Sequence, residues 1–149
     1  MASNDEDTII ALLREQEAAL ARGDPRGAVA MIDRSIISYD LPPPLEYRGS
    51  DQRHIDGLND WFATWESGVT TELARPVVLI EGDLAVVHGL SRMQGTKRGG
   101  SPIDSWNRRT IVLRRMEGDW RIVHEHSSYP MAMDGSGKAV TDLKPHGSE

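Results

Sequence analysis

The chain has no cysteine among its 149 residues, which excludes disulfides, a thiol nucleophile and any Cys-based metal site. No apolar run approaches the roughly 20 residues that span a bilayer, so no membrane partner is expected. Residues 1–7 are acidic and polar, the reverse of the basic, apolar secretory pattern, and a cytoplasmic location is the expectation. Basic residues are the minority charge: 17 Lys and Arg against 23 Asp and Glu leave a formal net charge of -6. Nucleic acid is not an expected partner, since phosphate binding needs a concentrated basic patch. There is no G-x-S-x-G elbow, no helix-borne H-E-x-x-H and no glycine-rich phosphate loop after a strand. There is also no internal repeat and no second-domain linker. The length suits one domain with a core of its own.

What is present falls into two halves. Ile9, Leu12, Leu13, Gln16, Ala19 and Leu20 recur at helical spacing, which predicts an amphipathic helix from Asp5 to Ala21. Gly23 stops it, and Asp24-Pro25 starts a short second helix, Arg26 to Ile32, with Asp as cap and Pro in the first helical position. Ser35 to Leu41 alternates as a strand, and the prolines 42–44 end it. Ser50 is placed to cap a third helix whose stripe is Ile55, Leu58, Phe62 and Trp65, with Trp61 beside it. After Gly68 the pattern changes to strands: Thr70–Ile80, Leu84–Thr96, Ile103–Met116 and Trp120–Tyr129, joined by glycine-bearing turns. Helices first and a meander afterwards predict an α+β domain over residues 5–130, with helices on one face of an antiparallel sheet. Residues 131–149, rich in Gly, Ser and Lys, read as a mobile tail.

Side chains two apart along a strand share a face. That rule groups His88 with Leu90 and Arg92, Trp106 with Arg108 and Thr110, and Trp120 with Ile122, His124, His126 and Ser128. Ionisable groups on an inner face are costly unless they are paired or line a wet cavity, so this joint parity suggests a pocket. Each residue also has a structural reading: arginines on a solvent face, histidines bonded to backbone carbonyls. His124 and His126 are the candidate acid and base, because imidazole titrates near neutrality. Arg92 and Arg108 offer bidentate forks for a carboxylate. Tyr39, Trp61, Trp65, His88, Trp106 and Ser128 complete the expected ligand wall. Asp40 is either a general base or a turn residue bonding nearby amides. His124 and His126 would need a third ligand, His88 or Asp40, to hold zinc; no metal and no cofactor are expected.

The segment Trp120-Arg121-Ile122-Val123-His124-Glu125-His126-Ser127-Ser128 resembles the last strand of the association domain of calcium/calmodulin-dependent protein kinase II, W-x-x-V-H-x-H-x-S. The likeness extends through Ala21-Arg22-Gly23-Asp24, Gly49, the Gly82-Asp83 turn leading to Arg92, and Arg114 to Trp120. Leu41-Pro42-Pro43-Pro44-Leu45 and Trp106-x-Arg108-x-Thr110 are similar to stand-alone bacterial proteins of the SnoaL-like branch of the NTF2-like, ketosteroid isomerase-like superfamily. The resemblance implies a cystatin-like cone, in which a strongly curved sheet wraps a cavity closed by three helices, and self-association as dimers through the sheet. It also implies an arginine-lined cavity for small carboxylates, with Arg92 matching one position and Arg108 a same-face substitute for another. Ketosteroid isomerases use an Asp base with a Tyr and a protonated Asp, a set this chain does not reproduce.

Two function classes follow. One is a cofactor-independent isomerase or dehydratase acting on a small acidic or cyclic substrate. The other is a non-catalytic module that binds an acidic ligand and assembles, like the kinase association domain.

Overall fold

The computed structural model describes residues 2–147, with side chains from residue 4 onward. Helix α1 (Ala2–Ala21) is followed by α2 (Pro25–Val29), β1 (Ile32–Tyr39), β2 (Tyr47–Arg48) and α3 (Gln52–Ala63). The strands β3 (Trp65–Glu81), β4 (Leu84–Lys97), β5 (Pro102–Met116) and β6 (Asp119–Ser128) complete the domain. They form one sheet in the order β2-β1-β6-β5-β4-β3, antiparallel throughout except where β1 runs parallel to β6. This is the expected α+β class. No helix among the described residues is long and apolar enough to cross a membrane.

The local chemistry explains the boundaries. Gly23 takes φ 70° and lets the Asp24 N–H reach back to the Ala19 carbonyl at 2.9 Å, closing α1 in a Schellman turn. The Asp24 side chain then accepts from the Gly27 N–H at 3.0 Å, capping α2 as expected. Helix α3 is capped by Asp51, and Ser50 instead donates to the Asp33 carbonyl at 3.2 Å. Trp65, expected on α3, opens β3: the helix ends at Ala63, and the strand begins five residues before the expected start at Thr70. Gly68, expected to precede the strand, sits within it at φ 95°, where the register slips between Trp65 and Val69. Strand β1 likewise starts at Ile32, which shortens α2, and β2 is a small strand that side-chain alternation does not foretell.

The core lies between α1 and one face of the sheet. Ile9 and Leu13 pack with Ile32, Ile36, Leu73, Val87, Ile111, Leu113, Trp120 and Ile122. Bulges curve the sheet around it. In β3 the slip lies between Ala74 and Val77, where Arg75 has φ 44° and precedes a proline. Helix α1 braces that kink: Glu17 accepts the Leu73 N–H at 2.7 Å, and Arg14 donates to the Leu73 carbonyl at 3.0 Å. Near the end of β4, a Cβ on Gly95 would lie 2.9 Å from Trp65 Cε3, so only glycine lets the indole lie against that strand.

Past β6, in the segment read as a tail, Met131 bridges Ala139 and the Val140 N–H donates to the Pro130 carbonyl at 2.7 Å. Pro145 then lies beside Leu90 and Trp106 on the side of the sheet away from α1. Residues 148 and 149 of that segment lie outside the described residues.

Candidate functional site

Burial decides which face of each strand looks inward. In β4 the buried positions are Ala85, Val87 and Ser91, and in β5 they are Ser105, Asn107, Ile111 and Leu113. His88, Leu90, Arg92, Trp106, Arg108 and Thr110 therefore share the outer face, turned away from α1. In β6 a slip against Val112 and Leu113 leaves Val123 unpaired, so Trp120 and Ile122 point inward while His124, His126 and Ser128 point outward. The expected joint parity is present, but it describes the convex side. For β6 the reason is the bulge: strict two-residue alternation tied the histidines to Ile122, and one extra residue reverses that relation, while β4 and β5 simply bury the opposite parity.

On this outer face the cross-strand row runs Val77, His88, Thr110, His126, Tyr39. Tyr39 meets His124 and His126 edge-on, with ring centroids 4.7 and 5.3 Å away. His124 Nδ1 lies 2.6 Å from the Ile37 carbonyl, which can only accept; the proton therefore sits on Nδ1 and Nε2 remains available. Arg108 donates to Ser128 Oγ at 3.2 Å. A shallow groove of about 350 Å³ is lined by His88, Leu90, Arg108 and Thr110, among others. Arg92 is already engaged: it donates to both oxygens of Asp104 at 2.8 and 2.7 Å, with its guanidinium 5.6 Å from the Trp106 ring centre. That pairing holds the Asp104 carboxyl below its usual range and raises Arg92. The fork expected for a ligand carboxylate is thus filled by a residue two strand positions from Trp106. Asp40 is exposed and accepts from the Leu41 N–H at 2.7 Å, a turn-residue contact. Among the described residues no cluster of His, Asp and Glu could hold a metal ion.

The concave face carries polar groups that alternation did not single out. Ser91, Ser105 and Asn107 are 5%, 5% and 7% exposed. Ser91 faces Asn107 across the β4–β5 pair, and Ser105 bonds the Tyr129 hydroxyl at 2.7 Å. Arg109 links Glu125 and Gln16, the latter at 3.1 Å, and Gln16 donates onward to the Ala28 carbonyl at 3.2 Å. Among the described residues, Trp65 Nε1 and Thr71 Oγ1 are buried without a hydrogen-bond partner, while the Asn107 amide, in a residue 7% exposed, makes no side-chain hydrogen bond and keeps a little solvent access. The available signal was Ile111 and Leu113, whose parity leads through Arg109 to Asn107.

Helix α3 packs against α2 and the start of β3 beside this face. Its apolar stripe, Ile55, Leu58, Trp61 and Phe62, is only half-buried. Trp61 meets Trp65 edge-on at 5.7 Å. Lys97 Nζ lies 3.9 Å above the Trp65 ring and donates to Thr64 Oγ1 at 2.6 Å, and burial lowers its pKa. Trp61 and Trp65 are thus gathered on the concave side, apart from the other expected site residues.

A family model for the SnoaL-like domain matches residues 9–132. No curated protein matches the chain. Among solved structures, an NTF2-like protein of unknown function from Pseudomonas putida KT2440 is 28% identical, with a TM-score of 0.85 over 97% of this chain and 99% of its own. The association domain of C. elegans CaMKII is 22% identical, with a TM-score of 0.66 over 85% of this chain and 96% of its own. An NTF2-like family protein from Streptomyces avermitilis, provisionally assigned as a dehydratase, is 16% identical, with a TM-score of 0.74 over 89% of this chain and all of its own. The last two matches speak to the fold alone. The α+β cone expected from the resemblance is the fold of this chain.

Proposed function

We propose, for a chain that belongs to the SnoaL-like domain family, that it is a cytoplasmic, homodimeric small-molecule pocket protein whose ligand lies on the concave side of the sheet. The observation that carries this reading is the burial of Ser91, Ser105 and Asn107 at positions where sheet packing alone calls for aliphatic side chains. Ser105 is met by Tyr129, but the Asn107 side chain has no protein partner among the described residues, and leaving such a group unpaired costs about 1–3 kcal/mol, a cost that a bound ligand offsets. The reaction class is cofactor-independent proton transfer, of isomerase or dehydratase type, with Tyr129 and Glu125 as the groups on this side able to hold or move a proton. The alternative is a ligand-binding assembly module without turnover, and the fold shared with a kinase association domain supports it. The homodimer would form through the outer face, where Val77, Leu79, Leu84 and Leu90 are exposed.

A second ligand position is favoured by the outer groove beside His88 and Arg108, with His126 in the same row. There His126 would be the acid or base, and Arg108 would orient an acidic group. One comparison separates the two: thermal-shift and turnover screening of wild type, Met93→Trp and His126→Gln. Met93 shares the concave face with Ser91, so a tryptophan there fills the space. The concave reading expects Met93→Trp to abolish binding at an unchanged melting temperature, and His126→Gln to bind as wild type. The reverse pattern moves the site to the outer face.

A further inference from the structure

Resting on the concave-site reading, we infer that the ligand is an uncharged ring compound that presents a hydrogen-bond donor and acceptor side by side, as a cyclic amide does, and not a carboxylate. The first ground is electrostatic. Charged groups around the inner face are already matched: Arg109 with Glu125, Arg14 with Glu17 and Arg115 with Asp5. Among the described residues of β4 on this side, Lys97 has no carboxylate partner; it lies over Trp65 and bonds Thr64. It lies six residues along β4 from Ser91, the partner of Asn107, which at about 3.3 Å per residue is roughly 20 Å away. A carboxylate beside Asn107 would be stripped of water with no cation to receive it. Displacing Glu125 from Arg109 instead would leave a half-buried carboxylate uncompensated.

The second ground is the hydrogen-bonding inventory. Asn107 offers a carbonyl acceptor and an amide donor on one planar edge, 7% exposed and bonded to no described residue. The complement of that edge is another amide edge, C=O beside N–H. Ser91, opposite Asn107, can donate or accept, so it adapts to either orientation of such a group. The third ground is the surrounding surface. Leu73 pairs with Ser91, Met93 is the next inward residue of β4, and Trp65 pairs with Lys97 beyond it, so an apolar ring packs where the polar edge does not.

The test is calorimetric titration of the full chain with two compounds sharing one bicyclic ring, the lactam carbostyril and the carboxylate quinaldate. The lactam is expected to bind at least about tenfold more tightly than the acid. Asn107→Leu is expected to weaken lactam binding by about tenfold or more, with the unfolding midpoint unchanged or raised. Should that variant fail to fold, Asn107→Ser, smaller and still polar, carries the same expectation. Quinaldate binding as tightly as carbostyril, with both weakened by Met93→Trp, overturns the uncharged-edge inference and leaves the concave pocket standing. Binding of neither compound, or binding indifferent to both Asn107→Leu and Met93→Trp, overturns the inference together with the pocket reading.

Discussion

Glu17 sits on α1 among the core residues, 8% exposed, because its two oxygens are spoken for. One accepts the Leu73 N–H at 2.7 Å and the other the Arg14 guanidinium at 2.7 Å. The contact supplies an acceptor to a backbone N–H that the sheet cannot satisfy, since β3 is its edge strand and has no neighbour on that side. Glu17→Leu therefore removes more than an ion pair: it orphans a buried backbone N–H and a neighbouring cation. We expect a loss of about 2–3 kcal/mol, read as a lower urea midpoint at unchanged m-value, with Glu17→Gln costing about half as much because one acceptor remains. A loss below about half a kcal/mol in Glu17→Leu would mean that the kink needs no brace. At this scale sequence reading is weakest. A glutamate at helical spacing reads as solvent-facing, and nothing local announces that a strand 56 residues away presents it with an amide.

Elements were more legible. The helix-then-meander order, the Gly23 stop, the Asp24-Pro25 start and the glycine turns follow from backbone chemistry close to each residue. What escaped was set by contacts between elements. Trp65 continues the stripe of α3, yet it pairs with Lys97 because the strand that receives it is long enough to reach past Gly95. Face assignment in β6 failed for a related reason: a bulge has no side-chain signature when the extra residue is a valine beside Ile122, as apt for a strand as its neighbour. The same region yields a prediction about α3. Its C-terminus is clamped by Lys97 to Thr64 Oγ1 and by Arg98 to the Ala63 carbonyl at 2.8 Å, cations at the negative end of a helix. Lys97→Met keeps the apolar stem over the indoles but removes the donor. Amide exchange in α3 is expected to quicken about tenfold while β4 and β5 stay unchanged, and equal protection in both proteins would show that the aromatic contacts alone hold the helix.

For the molecule as a whole, the two faces of one sheet divide the work. The concave face holds a buried polar layer; the convex face displays exposed aliphatics around the His88, His126 and Tyr39 row. A patch of that kind covers itself most readily by meeting its own copy. Leu79→Asp, placing a charge at a residue 56% exposed on that face, is expected to shift the native mass to the monomer without altering the fold. An unchanged dimer would locate the interface elsewhere. Fold class and element order were readable from the residues; which side of β6 carries the histidines was not, because that depends on one unpaired position. Val123 acts like the points on a railway: everything after it in β6 runs on the opposite track. A lineage that kept this residue but paired it with Val112 would turn the imidazoles to the concave side and put Glu125 on its exterior, whereas deleting Val123 would leave both faces as they are. Two proteins of this architecture with nearly identical sequences can therefore carry different chemistry inside, and an alignment without any gap at Val123 would hide the exchange.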